Sequence, residues 1–392
     1  MNRVMRKLGA FIIIYSSLVS LASAHWQRDS VETDLIEVLS KSLNISTKEK
    51  PQKRKGFYFS IVPVTTTSGG KRILVSSINI AFRLGKEDST NFSSIFFLPY
   101  TNFSDNIGFG LKLNLFTSKN IWNLPGEIRI SKIGQFTYGL GSLSTEAQQT
   151  NLQYNNLRVY LNANRKLAGN YFAGMGFDYD NYYDIQSTPA GNNENQFEKY
   201  GIGTNSSTAA LGINFNLLYD NRKNSINPTD GWYAAFIYRV NPLTTNAQWT
   251  SVYFDARRYF RLPSIKRKIM ALSAFYWGTD GKVPYLNLPG TQLEFTGRSG
   301  RGYSVGRFRG KQMLYLEGEY RFDISKNGLW GGVLFLNAQS LSDSDNNFTA
   351  INPAGGFGAR IKFNKTSETN LTLDFGFGKD SFGFYIGLGE FF

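Results

Sequence analysis

"SFGFYIGLGEFF", Ser381–Phe392, alternates with period two. Phe382, Phe384, Ile386, Leu388 and Phe392 fall on one face of an extended chain, while Gly383, Tyr385, Gly387 and Gly389 fall on the other. Successive strand side chains point to opposite faces, so this reads as a strand with one greasy face and one small or polar face. As an ordinary edge strand of a soluble protein it would be a template for aggregation. Facing lipid, the same greasy face has a natural solvent.

The rest of the chain fits the lipid reading. Of 392 residues, 15% are aromatic, 39 are glycine and none is cysteine. Arg3, Arg6 and Lys7 precede an apolar run from Leu8 to Leu21 and the small triplet Ala22-Ser23-Ala24, the pattern of a secretory signal peptide over 1–24. That run, about fourteen residues, is short for a spanning helix. Removing its three basic residues lowers the formal charge of +14 to about +11. An exported chain without cysteine needs a large cooperative fold in place of disulfides.

Alternation recurs along the chain. "IGFGLKLNLF" sets Ile107, Phe109, Leu111, Leu113 and Leu115 against Gly108, Gly110, Lys112 and Asn114. "NLRVYL" (157–161 apolar at every second place) and "GARIKF" (358–363) do the same. Segments of about ten residues with two unlike faces, separated by turn residues, are the signature of a membrane barrel. Strands are expected near 74–84, 92–100, 107–116, 126–132, 135–141, 156–163, 170–180, 208–220, 231–241, 249–260, 268–277, 313–322, 330–339, 356–363, 371–378 and the terminal stretch. The fold class is therefore all-β, a transmembrane antiparallel barrel over 56–392 with about sixteen strands, an even number as closure of a single-chain barrel requires. "FYFSIVPV" (57–64) is left unplaced, either a strand or a segment entering the lumen.

Connections alternate between short ones, such as "SKIG" (131–134), "PSIKRK" (263–268) and "SKNG" (325–328), and long ones, such as 180–207 and 279–312. Long loops of such barrels lie outside the cell. Arg83, Lys112, Arg129, Arg158, Arg239, Arg321, Arg360 and Lys362 all fall on polar faces, so they are expected in a wet lumen. Spread singly across strands, they do not form the clustered patch that nucleic acid needs. Residues 25–55 read as a short periplasmic extension: "TDLIEVLSKSL" spaces Leu35, Val38, Leu39 and Ser42 helically, and "KEKPQKRKG" (48–56) is a basic linker. A frayed terminus with a helical tendency is the alternative.

"YDNRKNSINPTDGWYAAFIYRV" (219–240) resembles the strand–turn–strand signature of the bacterial surface antigen family, the barrels of BamA and TamA type, at Asp220, Arg222, Asn227, Pro228, Thr229, Gly231 and Trp232. "TGRSGRGYSVGRFRGK" (296–311) matches that family's Arg-Gly-aromatic loop motif at Arg301, Gly302 and Tyr303. The resemblance implies that this loop folds into the lumen and that Arg301 meets carboxylates on the next two strands. Glu319 in "LYLEGEYRF" matches the first acidic position, and Glu317, Glu319 and Arg321 share one face. The second acidic position is Asn337, which accepts a hydrogen bond but carries no counter-charge, so either the lock is weaker or Glu317 substitutes.

Other readings of the loop fail or stay bland. It is neither GxGxxG between strand and helix nor a P-loop, since no Ser or Thr follows Lys311. A merely flexible, Gly-rich surface loop remains open. Family members carry periplasmic POTRA domains; only about thirty residues precede the barrel here, so the match is to a short form. After signal removal the one histidine, His25, stands at the very start, which leaves no Ser–His or Asp–His hydrolase and no histidine or cysteine metal site to expect, and no cofactor. The resemblance implies outer-membrane protein assembly or polypeptide translocation, with outer-membrane lipids, client polypeptides and accessory lipoproteins as partners and no nucleic acid. A passive pore or structural barrel with a cationic lumen is the alternative.

Overall fold

The computed structural model describes residues 32–42, 58–68, 71–86, 89–262, 268–294, 297–365 and 367–392. Sixteen antiparallel strands form one closed barrel in which each pairs with its sequence neighbours and the first meets the last. They are β1 (Tyr58–Ser68), β2 (Lys71–Phe82), β3 (Ser93–Thr101), β4 (Ile107–Phe116) and β5 (Trp122–Thr137). Next come β6 (Thr150–Ala168), β7 (Tyr171–Pro189), β8 (Ser207–Asp220), β9 (Gly231–Thr244) and β10 (Trp249–Arg261). The wall is completed by β11 (Ile269–Gly281), β12 (Gln312–Asp323), β13 (Trp330–Leu341), β14 (Asn352–Asn364), β15 (Thr369–Gly378) and β16 (Ser381–Leu388).

The expected number of strands is right through two errors that cancel. The unplaced stretch at 57–64 belongs to β1, which pairs with β2 from Tyr58 opposite Ala81 to Ser68 opposite Lys71. Conversely, the expected turn "SKIG" does not exist: β5 runs through it, with Ser131 to Gly134 paired to Asn156 to Gln153 of β6. Gly134 there makes a close approach, not a turn. Its N–H donates to Asn106 Oδ1 at 3.0 Å, and a Cβ on it would lie 2.3 Å from Asp105.

The three longest connections (138–149, 190–206, 282–311) lie at one end, and the connections at the other end, such as 117–121, 169–170, 324–329 and 365–368, run to ten residues at most. β6 and β7, 19 residues each, are long enough to stand above the long-loop rim, since a strand rises about 3.3 Å per residue. The outer surface exposes Phe109, Phe177, Phe215, Phe254, Leu334 and Phe382, the greasy faces expected from the alternation. No helix among the described residues is long and apolar enough to cross a membrane.

One expected lipid-facing residue is not on that surface. β16 ends at Leu388; Gly389 adopts φ +82°, a left-handed conformation that suits glycine, and the chain turns inward. Phe392 is buried against Tyr259 and Ala271 inside the barrel and not beside Phe384 and Ile386 on the greasy face. Glu390, Phe391 and Phe392 thus enter the lumen from the short-turn end.

The helix expected after the amino terminus is present as α1 (Leu35–Ser42). Asp34 accepts from the Glu37 N–H at 2.8 Å, a side-chain cap that starts the helix. Its polar side docks on the turn between β14 and β15: Lys365 N–H donates to Asp34 Oδ2 at 2.9 Å, and Lys365 Nζ lies 3.0 Å from Glu37. Ile36, Val38 and Leu39 point away from the barrel and are exposed. The expected signal peptide and basic linker lie outside the described residues.

Candidate functional site: a loop locked inside the barrel

Loop 282–311 descends into the lumen as an irregular hairpin. Thr291 N–H donates to Phe308 O at 3.0 Å, and Gly306 N–H to Thr291 O at 2.9 Å. Its upper part, Val283, Tyr285, Leu286 and Leu288, packs with Leu152, Tyr182, Phe197 and Trp249 into an apolar cap beneath the long-loop end. A short helix, α2 (Gln196–Tyr200), supplies Phe197 and is capped by Asn195, which accepts from Phe197 N–H and Glu198 N–H. The loop is therefore anchored by burial, and the reading of it as a merely mobile surface segment fails.

At its tip Gly300 and Gly302 take φ of +65° and +107°, and Arg301 projects between them. A β-carbon on Gly302 would sit 3.0 Å from Ala354 and from the backbone of β15. The wall answers with glycines of its own: a β-carbon on Gly376 would lie 2.6 Å from Gly302 N, and one on Gly378 2.6 Å from the Tyr303 ring. Tyr303 Oη donates to Pro353 O at 2.8 Å, and Gly302 N–H donates to Tyr385 Oη at 3.0 Å. The tip lies on β14 and β15 because both present small inward residues there, and Tyr385 of β16 holds its edge.

The Arg301 guanidinium is fully buried and engages three carboxylates. Nε donates to Glu317 at 2.8 Å, Nη1 to Asp374 at 3.0 Å, and Nη2 to both Glu317 and Glu319. Phe335 and Phe391 cover its two faces, with ring centroids 3.7 and 4.0 Å from Cζ. Tyr315 Oη donates to Glu317, which satisfies that carboxylate's second oxygen. A planar fork of donors is what lets one residue hold several carboxylates in fixed geometry.

Both expected partners, Glu317 and Glu319, are in place. Asn337 is at the site in another role: its Nδ2 donates to the main-chain oxygen of Arg301 at 2.9 Å. The missing counter-charge comes from Asp374 on β15, two strands beyond Asn337, a residue the sequence reading passed over. β15 stands three strands from β12 in the wall, and one guanidinium reaches both because the sheet curves around the loop tip.

The network continues to the second motif. Glu319 accepts from Arg321 Nε at 2.7 Å; Arg321 then donates to Pro228 O at 3.3 Å and to Phe392 O at 3.0 Å. Asp220 and Arg222 form a two-pronged pair at 2.9 and 2.8 Å. Asn227 Nδ2 donates to Glu368 O at 3.0 Å, and Gly231, at φ +108°, starts β9 with Trp232 facing outward. Turn and loop, 70 residues apart in sequence, are thus joined through Arg321.

Glu390 of the inward-turned end closes the circuit, accepting from Arg360 at 2.9 Å and from Asn370 at 2.6 Å. Burial alone would raise its pKa, but Arg360 and Arg321 hold it down at about 2. Elsewhere the lumen is matched and not simply cationic: Arg158 pairs with Asp180, Arg239 with Asp180 and Asp178, Arg129 with Glu127 and Arg257 with Asp255. A cavity of about 300 Å³ remains below the loop tip, lined by Asn114, Asn123, Asn164, Asn214 and Asn216.

The first and last strands meet weakly. β1 and β16 share one residue pair in register, Thr66 opposite Tyr385, whereas β15 and β16 pair from Leu371–Leu388 to Gly378–Ser381.

No curated protein matches the chain in sequence. Among solved structures, BamA from Haemophilus ducreyi lacking POTRA domains 1–3 aligns at a TM-score of 0.51 and 14% identity, over 90% of this chain and 78% of that one. CdiB from Acinetobacter baumannii aligns at 0.51 and 12%, over 84% of this chain and 59% of that one. At such identities these likenesses speak for the fold alone, a closed antiparallel β-barrel. The Omp85 superfamily domain matches residues 76–392, nearly the whole barrel with its loop lock and its turn, and the chain belongs to that superfamily.

Proposed function

We propose that this barrel inserts or translocates polypeptides at the outer membrane, using the junction of β1 and β16 as a seam that opens. The observation that carries this reading is the single register pair across that junction, in a wall whose other ladders are long. Strand pairing is the main cohesive force of a barrel wall in lipid, where an unpaired backbone group costs several kcal/mol. A junction held at one place is the one where an incoming strand can pair at least cost, by adding its own edge. Gly383 and Gly387 on β16 weaken this edge further, since glycine has no side chain to pack across it.

The loop supports the reading from inside. It fixes β12 and β15 to one guanidinium, so the wall beside the seam stays rigid while the seam itself is free to part. A passive pore fits less well, because the loop and the inward-turned end occupy much of the lumen and the apolar cap packs across its long-loop end. Conditional depletion followed by quantitative proteomics of the outer membrane tests the proposal. Selective loss of a set of barrels or surface proteins is the expected result and names the clients. An unchanged proteome, together with open-channel conductance of the purified protein in planar bilayers, would replace this reading with the pore.

A further inference from the structure

We propose that the lipid-facing surface where β9 and β10 reach the short-turn rim binds the headgroup of a glycerophospholipid that carries both a phosphodiester and a primary ammonium. Arg258, Trp232 and Asp230 form the site.

Alternation along β10 sends Asp255, Arg257 and Tyr259 inward, where all three are buried. Arg258 therefore points outward, on the face that carries Phe254 and Phe260. An arginine facing hydrocarbon is costly at the bilayer midplane but nearly free at the headgroup level. Arg258 stands opposite Trp232, the second residue of β9, so it lies at that level. Its guanidinium is 5.1 Å from the Trp232 ring and 5.9 Å from Phe260. Tryptophan marks the membrane–water boundary in barrels, and a guanidinium stacked on it is held ready for a phosphate.

The same arrangement recurs at this rim. Arg165 stands opposite Trp122 with Cζ 5.9 Å from its ring, and Lys268 Nζ lies 5.9 Å from Tyr320. Three outward cations, each on an aromatic side chain, mark one phosphate depth. Among the described residues, the β9–β10 station is the one of the three whose cation has an acid beside it on the outer face. Asp230 Oδ1 is 3.4 Å from Arg258 Nη1, and its side chain is 69% exposed. An exposed pair of this kind is weak, so a headgroup inserts between its members at little expense. Phosphate then meets Arg258, and a primary ammonium meets Asp230 beside the Trp232 ring. Phosphatidylethanolamine offers both charges with N–H donors. Phosphatidylglycerol lacks the cation, and phosphatidylcholine lacks the donors.

The test uses the full chain in nanodiscs made from equal parts of these three lipids, with lipids retained after detergent extraction counted by native mass spectrometry. Phosphatidylethanolamine should exceed phosphatidylcholine by at least about fivefold, the ratio that one charge-assisted hydrogen bond gives. Asp230→Asn should bring phosphatidylethanolamine down to the phosphatidylglycerol level, and Arg258→Gln should lower both. Arg165→Gln should leave the ratio of the two unchanged. Equal retention of the three lipids by the unaltered protein overturns the site, as does an Arg165→Gln effect equal to that of Arg258→Gln. Heat-modified gel mobility certifies that each variant is folded. If Arg258→Gln fails that check, Arg258→Lys replaces it, and undiminished phosphatidylethanolamine retention in that variant overturns the need for the guanidinium fork.

Discussion

The main-chain N–H of Gly302 donates to the Tyr385 hydroxyl at 3.0 Å, and Tyr385 is also the residue of β16 that stands in register with Thr66 of β1. The tip of the lumen loop therefore touches the seam at the one position where the seam is paired. The chain has no cysteine, so Thr66→Cys with Tyr385→Cys gives a background-free probe. Directly opposed residues have Cα atoms about 4.5–5.5 Å apart, within the range a disulfide spans. The pair should cross-link in intact outer membranes. If polypeptide insertion requires an open seam, the oxidised form should lose function and regain it on reduction. Full function of the locked barrel would sink the seam mechanism.

Removing the lock's cation should be severe. Arg301→Ala leaves Glu317, Glu319 and Asp374 buried around an empty centre, and stranding buried charge in this way costs about 3–5 kcal/mol. The folded band in heat-modified electrophoresis should disappear at a clearly lower temperature. Arg301→Lys should fall between, because an ammonium cannot reach three carboxylates as a planar fork does. Mobility unchanged in Arg301→Ala would argue that the lock is ornamental.

Asn337 allows a sharper test. Restoring the acid that the family pattern expects there should harm this protein, since Asn337→Asp replaces a donor with an acceptor against the Arg301 carbonyl oxygen. A loss of about 1–3 kcal/mol is expected, and Asp374→Asn should lose at least as much by removing one of Arg301's three carboxylates. Stabilisation by Asn337→Asp would show that the Asn337–Arg301 hydrogen bond is unimportant.

Gly376→Ala probes the loop's seat. The added carbon would lie 2.6 Å from Gly302 N, so the loop tip or β15 must move. Overpacking of this kind costs about 1–3 kcal/mol, and the tip should become sensitive to protease added from the long-loop side. Continued protease resistance would mean that the tip is not seated there.

Acid should release the inward-turned end late. Glu390 has a folded pKa lowered to about 2 from an ordinary 4.5, so its contribution is full above the unfolded value and lost as pH falls through the folded one. Intrinsic fluorescence quenching of Tyr259, compared with Glu390→Gln, should show the end in place at pH 5 and leaving between about pH 4.5 and 2. Release already complete at pH 5 would contradict the pairing with Arg360 and Arg321.

Period-two alternation made most strands legible, because every strand with one face in lipid must obey it. It misled at β5, where "SKIG" has turn composition but Gly134 is needed for contact with Asp105 and Asn106. It misled at Phe392, whose parity fits the greasy face while Gly389 turns the chain away. The lock was legible in Arg301, Glu317 and Glu319, which lie close in sequence. Asp374 was not, since its nearness depends on how the wall curves across three strands from β12 to β15. One signal was used only in part: Glu127/Arg129, Asp220/Arg222, Asp255/Arg257 and Glu319/Arg321 repeat an acid two places before an arginine, and only the second and fourth were singled out. In a strand that spacing puts both on one face, and all four are lumen ion pairs.

Phe335 and Phe391 clasp Arg301 from its two sides, and they reach it from different places: one belongs to the wall, the other to the end that comes in through the short-turn mouth. The loop arrives through the opposite mouth. Neither can be threaded easily into a finished cylinder, so the order of events during folding is constrained. The sheet must stay open while loop and end are laid against its concave face. β1, the first strand to be made, must wait for a partner more than 300 residues downstream. The weak junction is thus also the last one to zip.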